Sequence, residues 1–245
     1  MSAAGLDLRA FGVEGRDLDV DFDDGDRAAV VTDLLARCAP LERDGARALP
    51  VGTRLHALVD VCRLSGADLL SWALTCPAAG CDEEIEIELP LAVLADAARD
   101  AEASEPPAVA WGEGSFRPRL PTGEDLRRWR AEPPSDAAIV AALGGPRFAG
   151  DEVPRELVAA VEAALEAADP LVDARVQSAC PACGQPLDLA VDVEGEMLAL
   201  ARRGQDVLLE DVAALAGAFH WSEQDILALP ARRRRRYLAM LERAA

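Results

Sequence analysis

The sequence contains no lysine, so all 25 of its basic residues are arginine. It is also poor in aromatic residues, which make up 4% of the chain, although apolar residues make up 51%. A sizeable core can therefore form, but it must consist mainly of Ala, Leu and Val side chains. This composition favours closely packed helices over a large β-sandwich.

Positive charge is scarce, because 25 basic residues stand against 44 acidic ones and the formal net charge is −19. Such acidity disfavours bulk binding to nucleic acid or to an anionic membrane. No uncharged apolar run reaches the about 18–20 residues that a membrane helix requires, and the N-terminal sequence does not have the pattern of a secretion signal. We therefore expect a soluble, cytoplasmic protein whose six cysteines stay reduced.

Apolar periodicity predicts several helices, and alternation of apolar and acidic residues predicts strands. The predicted helices are 27–37, 49–64, a short one capped by Thr122, one between Pro154 and Pro170, most of the chain from about 196, and two C-terminal ones separated by Pro230. The predicted strands are 84–89, 172–178 and 187–193, with one short strand in 104–121. For the first C-terminal helix, Ser222 and Asp225 predict a weak capping box, and Trp221 and Ile226 a hydrophobic staple.

Two segments about 100 residues apart share one pattern, TCPAAGCDEEIEIEL and ACPACGQPLDLAVDV. Each places a cysteine pair at a turn before an alternating acidic strand. The pattern predicts an α+β, mainly α-helical fold of two duplicated helix/β-hairpin halves. These would join at a four-cysteine, zinc-ribbon-like site and continue into a C-terminal helical extension. The segments are an acidic N-terminal segment (1–47), a first half (48–103), a connector (104–150), a second half (151–195) and C-terminal helices (196–245).

Four cysteines have the spacing of a structural zinc site, in which four thiolates surround the ion tetrahedrally. They are Cys76, Cys81, Cys180 and Cys183. A pair without metal and a redox C-P-x-C pair are the alternatives. In disulfide oxidoreductases the first cysteine opens a helix, whereas here Gly184 and Pro186 lead into an alternating strand. The strand–turn–strand pattern therefore favours Zn²⁺.

The remaining cysteines and histidines are expected to have no role as metal ligands. Cys38 and Cys62 lie on predicted helices among apolar neighbours and are expected to be small buried side chains. His56 and His220 are expected to be packed or surface residues, since four thiolates complete a zinc shell. The sequence shows no Ser/His/Asp order, no H-E-x-x-H motif and no phosphate-binding glycine loop. A non-enzymatic protein is therefore expected.

The C-terminal stretch LAGAFHWSEQDILALPARRRRRYLAML resembles the ending of the T-even-type baseplate (hub assembly) protein family. That family occurs in contractile-tailed phages and phage-derived contractile injection systems. Its members carry Tyr-Gly-Trp-Ser-Glu, then ILxL, a proline, an arginine pair and YL. This chain has Phe219 and His220 in place of Tyr-Gly, and a proline-to-tyrosine spacing about one residue longer. Upstream, ALPVGTR, the first cysteine pair, RLPTGEDL, EAADP and CPACG also resemble the family, so the resemblance covers most of 48–242.

The resemblance implies a structural component of a baseplate, in or assembling into phage-tail-like particles. Its partners would be other baseplate, hub or tail-tube proteins, without a membrane, nucleic acid or small-molecule substrate. The implied partner-binding residues are Trp221, Arg232, Arg233, Arg234, Arg235, Arg236 and Tyr237. The segment from Ala231 onward has six arginines and one glutamate, a charge of +5 that leaves −24 for the rest. Such polarity can steer assembly.

Other interpretations remain open for this segment and for the whole chain. The arginines are alternatively a solvated helix face or a contact for nucleic acid. The alternative functions are a hub assembly chaperone that is absent from the mature particle, a zinc-ribbon regulator that binds nucleic acid and, most remotely, an enzyme. The acidic composition and the lack of interleaved stacking aromatics disfavour the regulator.

Overall fold

The computed structural model describes residues 5–102, 106–145, 148 and 153–243. Within these residues the chain is mainly helical and carries three two-stranded antiparallel sheets. The prediction of a mainly helical protein with small hairpins is therefore confirmed. No helix in this part of the chain has both the length and the apolar character that crossing a membrane requires.

The helices and strands alternate along the chain in small groups. The helices are α1 (Arg27–Cys38), α2 (Arg43–Ala48), α3 (Val51–Leu64), α4 (Leu91–Glu102), α5 (Gly123–Ala131), α6 (Asp136–Gly144), α7 (Arg155–Ala168), α8 (Val193–Phe219), α9 (Glu223–Ala228) and α10 (Ala231–Glu242). The strands are β1 (Leu69–Thr75), β2 (Glu84–Pro90), β3 (Val109–Trp111), β4 (Gly114–Phe116), β5 (Arg175–Ala179) and β6 (Pro186–Ala190). A 3₁₀ helix, Gly15–Asp19, precedes α1.

Helix α3 forms the centre of the main core and is buried over most of its circumference. Helices α1, α4 and α8 surround it. The segment predicted to be an acidic N-terminal region also reaches this core, through Phe11 and Val20. There the Gln205 side chain on α8 donates to the carbonyl oxygens of Asp17 (2.9 Å) and Val20 (3.0 Å). The N-terminal residues are therefore attached to the same helix as the rest of the core.

Several elements differ from the sequence prediction, which did not include the helices α2 and α4. Strand β6 ends at Ala190 rather than near Val193, because the Asp192 carboxylate caps α8 by accepting from the Gly195 amide at 3.0 Å. Helix α6 was not predicted, since its nearly all-apolar sequence has no periodicity to detect. The predicted single strand in 104–121 is a hairpin of β3 and β4. This hairpin packs with α6 and α7 into a second, smaller core.

Two of the motifs that resemble the baseplate family meet at the start of α3. The backbone amide of Val51, in ALPVGTR, donates to the carbonyl oxygen of Pro121, in RLPTGEDL, at 2.8 Å. The amide of Gly123 donates back to the carbonyl oxygen of Leu49 at 3.3 Å. A third motif, EAADP, supplies Asp169, whose buried carboxylate lies against Gly52. Segments that are far apart in sequence therefore form one junction.

Arg54 lies inside this junction and is 2% exposed. Its guanidinium donates to the carbonyl oxygens of Ala46 and Ala28, both at 2.7 Å, and to the Thr32 hydroxyl at 3.1 Å. Burial lowers the pKa of Arg54 to about 10, so the side chain stays charged at neutral pH. Gly123 packs directly against the guanidinium because it has no side chain.

Gly123→Ala is expected to lower the free energy of unfolding by about 1–3 kcal/mol through overpacking. A Cβ at this position would lie 2.7 Å from Cζ of Arg54 and 2.9 Å from the carbonyl oxygen of Arg47. Urea denaturation measures the change. The matched control is Gly217→Ala, since Gly217 is an exposed helical glycine with no atom within 4 Å of its Cβ position. The control should stabilise the protein by about 0.5–1 kcal/mol, and a loss of stability in both variants would contradict the packing argument.

Candidate metal centre

The predicted metal ligands lie at the turns of two hairpins, β1–β2 and β5–β6. Cys76 follows β1 directly, and its amide donates to the carbonyl oxygen of Glu83 at 2.9 Å. Cys180 follows β5 directly, and its amide donates to the carbonyl oxygen of Gln185 at 2.9 Å. In each case the acceptor is the residue just before the second strand. The first cysteine of each pair therefore has the same position in its hairpin.

Each turn relies on a glycine in the left-handed backbone region. Gly80 precedes Cys81 and has φ +76°, and Gly184 follows Cys183 and has φ +75°. The amide of Gly184 donates to the Cys180 carbonyl oxygen at 2.9 Å, which closes the second turn. Glycine is favoured at such φ values because it has no Cβ to clash. Both turns are thereby tight enough to direct their thiols to one point.

The four sulfurs form one compact group. Sγ of Cys76 lies 3.7 Å from Sγ of Cys183, and Sγ of Cys81 lies 3.8 Å from Sγ of Cys180. All four ligand atoms lie within 4.8 Å of one another. A tetrahedral ion with metal–sulfur bonds of about 2.3 Å separates its sulfurs by about 3.8 Å, whereas a disulfide requires about 2.05 Å. The geometry thus fits one four-coordinate metal shared by both hairpins.

The surroundings of the sulfurs leave little room for other ligands. Cys76 and Cys180 are buried, Cys81 is half-buried and Cys183 is exposed. Apolar side chains from both hairpins pack beneath them, namely Ile85, Ile87 and Leu187, with Trp72, Leu74, Val176 and Leu189 at the edge. Four thiolates fill a tetrahedral shell and leave no open position for substrate or water. Such a centre suits a structural metal rather than a catalytic one.

Backbone amides around the sulfurs favour the thiolate form that a metal requires. The pKa of Cys180 is lowered to about 7, chiefly because the Cys183 amide donates to its sulfur and the Ala182 amide assists. At Cys76 the Ala78 amide also lowers the pKa, but burial and the neighbouring thiols outweigh it and raise the value to about 12. A bound metal cation would displace the protons of the hydrogen bonds between the thiols. The affinity for the metal would rise with pH, because the thiols must deprotonate before they bind it.

The first hairpin is fixed to the main core through α4, which contacts both of its strands, and through α8. The indole nitrogen of Trp72 on β1 donates to Glu196 Oε1 at 2.9 Å. Near the start of the same helix, Arg27 pairs with Asp192 at 2.6 Å. The cysteine cluster is therefore connected to the first turns of α8.

The other cysteines and histidines lie outside this group. Cys38 and Cys62 are buried, as predicted, and burial raises the pKa of each thiol to about 12. His56 is fully buried on α3, with Nε2 3.7 Å from Asp60 Oδ2. His220 is exposed and ends α8 in the left-handed conformation, with φ +56°. His220 is the only non-glycine residue with a positive φ among the residues that the structure describes.

His220→Gly is expected to raise the free energy of unfolding by about 0.5–1 kcal/mol, because a left-handed backbone strains any residue with a Cβ. In the baseplate-family ending that this sequence resembles, the residue that corresponds to His220 is glycine. Chemical denaturation of His220→Gly and of the control His220→Ala tests this expectation. Ala retains the Cβ, so it should bring no gain. Equal changes in the free energy of unfolding of the two variants would show that loss of the imidazole, rather than relief of backbone strain, causes the change.

The predicted partner-binding aromatics contact one another beside α8. The Phe219 and Trp221 rings stack with centroids 4.8 Å apart, and Trp221 meets Tyr237 edge-on at 5.0 Å. These rings are half-buried and pack with Ile226 and Leu215. Ser222 caps α9 by accepting from the Asp225 amide at 3.1 Å. The Asp225 carboxylate accepts from the Ser222 hydroxyl at 2.6 Å, instead of from the backbone as in the predicted capping box.

The five consecutive arginines of α10 divide into two groups. Arg234 is 3% exposed and donates to the carbonyl oxygen of Leu229 at 2.8 Å. Burial lowers its pKa, an effect that Asp211 on α8 opposes. The other four are exposed: Arg232, Arg233, Arg235 and Arg236. Arg234 is therefore part of the packing of α10 on α8, and the remaining four form an accessible basic face.

No protein-family model, curated protein or solved structure matches this chain.

Proposed function

We propose that this chain is a non-enzymatic structural protein of a contractile phage tail or contractile injection system, where it forms part of the baseplate and is folded around one structural Zn²⁺. The observation that carries the zinc assignment is the single group of four thiols, with cross-hairpin separations of 3.7 and 3.8 Å. Tetrahedral thiolate sites select zinc or iron, and the closed shell suits a structural zinc.

The two hairpins are further proposed to be duplicated units of a zinc-ribbon-like joint. Each places a cysteine directly after its first strand, a left-handed glycine in its turn and apolar residues beneath the sulfurs. Neither hairpin has enough core of its own to be stable alone. A shared metal would hold the first half of the chain to the second, so that both meet α8 in a defined orientation.

None of the comparisons with known proteins matches. The baseplate assignment is therefore supported only by the order of the motifs in the sequence. Two of these motifs, ALPVGTR and RLPTGEDL, meet beside Arg54, and EAADP contacts the first of them where Asp169 lies against Gly52. The glycine of the family ending corresponds to His220, which has a left-handed backbone. These contacts give the motifs a common structural role in the packing around the start of α3. Such a shared role is expected if the motifs are characteristic of one family.

The accessible arginines of α10 are proposed to dock a protein partner during assembly. The test replaces Arg232, Arg233, Arg235 and Arg236 by Gln and leaves the buried Arg234 in place. The variant should keep its fold but fail to enter particles. Replacement of the exposed Arg128 and Arg130 on α5 by Gln is the control, and it should assemble normally. Normal incorporation of the α10 variant would reject the docking role.

Quantitative mass spectrometry of purified mature particles, with the tail-tube protein as counting standard, tests the function itself. A fixed, small copy number per particle is the expected result. Abundance in the lysate together with absence from particles would reject the structural role and identify an assembly chaperone. Metal analysis of the isolated chain should find one zinc per molecule, and iron in its place would reject the zinc assignment.

A further inference from the structure

The outer face of α10 is a row of positive charge, in which Arg235 is attracted by the Asp211 carboxylate on α8. At 100° per residue, Arg232 and Arg236 lie about 160° from the buried Arg234 on either side, so they lie together on the opposite face. Arg233 and Arg235 flank them. None of these four side chains forms an ion pair with the residues that the structure describes. The face is therefore available to an acidic partner.

A complementary acidic face lies on the β1–β2 hairpin. Glu84, Glu86 and Glu88 alternate with buried residues along β2, so all three point away from the core. Their cross-strand partners on β1 are the uncharged Thr75, Ala73 and Ser71. No arginine among the described residues pairs with these three carboxylates. The row thus carries three like charges with no opposite charge beside them.

The second hairpin shows that an acidic strand in this fold can be neutralised locally. On β6, Asp188 forms two hydrogen bonds with Arg175 of the neighbouring β5, at 2.9 and 2.8 Å. The equivalent face of β1 offers no such residue. The uncompensated charge on β2 therefore distinguishes the first hairpin from the second.

The basic and acidic faces of one chain are attached at different places along α8. Trp72 attaches the first hairpin near the start of α8, at Glu196, with its side chain on the opposite side of the strand from Ser71. Helix α10 packs near the other end, where Arg234 lies beside Asp211. At 1.5 Å per residue, the fifteen positions between Glu196 and Asp211 separate the two attachments by about 22 Å along α8.

We propose that the arginine face of α10 binds the glutamate face of β2 in a second copy of this chain. The spacings agree, because residues four apart on a helix rise about 6 Å and residues two apart on a strand rise about 6.6 Å. Arg232 and Arg236 can therefore each oppose one of two successive glutamates. Two copies related by a two-fold axis would make this contact twice. The inference names the partner of the docking face in the proposed function, and rests on it.

Association through exposed charges is weak per pair and sensitive to salt. Light scattering on a sizing column, with the full zinc-loaded chain at about 50 mM and about 500 mM NaCl, measures it. At low salt the mass should rise with concentration above the 25.9 kDa of one chain, and at high salt it should return to that value. A wild-type chain that stays monomeric at low salt and high concentration would overturn the inference.

Charge reversal gives the decisive comparison. One variant carries Arg232→Glu and Arg236→Glu, and the other carries Glu86→Arg and Glu88→Arg. Each alone should be monomeric, because the two pairs of side chains proposed to bind each other then have the same sign. An equimolar mixture should associate again, since each face of one variant then finds an opposite face on the other. Arg128→Glu with Arg130→Glu is the control and should associate like the wild type. Zinc content and melting temperature verify that each variant is folded.

Two results would overturn the inference. The first is association of either variant alone to the same extent as the wild type, and the second is a mixture that remains monomeric. The wild-type chain could instead bind phosphatidylserine vesicles or duplex DNA at low salt without self-association. That result would identify the vesicle surface or the DNA as the ligand of the arginine face. Particle incorporation is scored separately. Normal copy number with no self-association rejects only this inference, whereas absence from particles with intact self-association rejects only the proposed function.

Discussion

Cys180→Ser is expected to abolish metal binding and to lower the melting temperature by about 20 °C or more. Structural zinc contributes about 10–16 kcal/mol of apparent folding free energy in isolated zinc fingers. Each kcal/mol shifts the melting temperature of a chain of this size by about 2–4 °C. Cys180 is a buried member of the sulfur group, and its Sγ lies 3.8 Å from Sγ of Cys81 in the other hairpin. Its loss leaves three thiolates and removes the link between the halves.

The loss of structure should be local. The core around α3 does not contain the cluster cysteines, because those pack in a separate group with the hairpins. We therefore expect helical circular dichroism to persist while the β1–β2 and β5–β6 hairpins lose protection from hydrogen exchange. Elemental analysis gives the metal content and calorimetry gives the melting temperature.

The matched control for this prediction is Cys38→Ala, which removes a buried thiol outside the cluster. It should retain one metal per chain, although it costs some packing. Full zinc occupancy in Cys180→Ser, or equal loss of metal in both variants, would contradict the assignment. Treatment of the wild type with a chelator should reproduce the effect of Cys180→Ser.

Arg54→Met is expected to lower the free energy of unfolding by about 2–5 kcal/mol, because it leaves buried carbonyl groups without donors. The guanidinium donates to the carbonyl oxygens of Ala46 and Ala28 at 2.7 Å, whereas the Met side chain is shorter, ends in a methyl group and has no hydrogen to donate. Gly123 packs on the same group, so the change also disturbs the contact between the two motifs.

Urea denaturation compares this variant with Arg63→Met, which changes an exposed arginine on the same helix. The control should remain within about 0.5 kcal/mol of the wild type. A similar small change in Arg54→Met would mean that the two carbonyl groups find other donors, and the junction would then depend on shape alone.

Local patterns in the sequence predicted most of the individual elements. Helices α1 and α3 are present close to the expected bounds, because their apolar side chains recur every three to four residues. Thr122 caps α5 as expected, since its hydroxyl accepts from the Asp125 amide at 3.3 Å. Helix α6 escaped prediction because an almost uniformly apolar stretch has no preferred face. Periodicity cannot detect such uniform elements, and the amphipathic helix α4 was also missed.

Cysteine spacing identified the four candidate ligands, but only the tertiary structure brought them together. Cys76 and Cys183 are 107 positions apart in the chain, and no local rule makes two turns meet at 3.7 Å. Their convergence depends on both hairpins packing with apolar side chains and on Trp72 binding to α8. The shared site is therefore a product of the packing of the whole chain.

The junction around Arg54 and the division of the arginines were decided by tertiary structure alone. A buried arginine has no sequence signal that separates it from an exposed one, because its burial depends on carbonyl groups supplied by other elements. Five consecutive arginines also look equivalent in sequence, yet Arg234 lies against α8 and its neighbours do not. By itself the sequence determined element types, cysteine pairs and charge; the three-dimensional packing determined which of those side chains meet, since contact depends on distance in space.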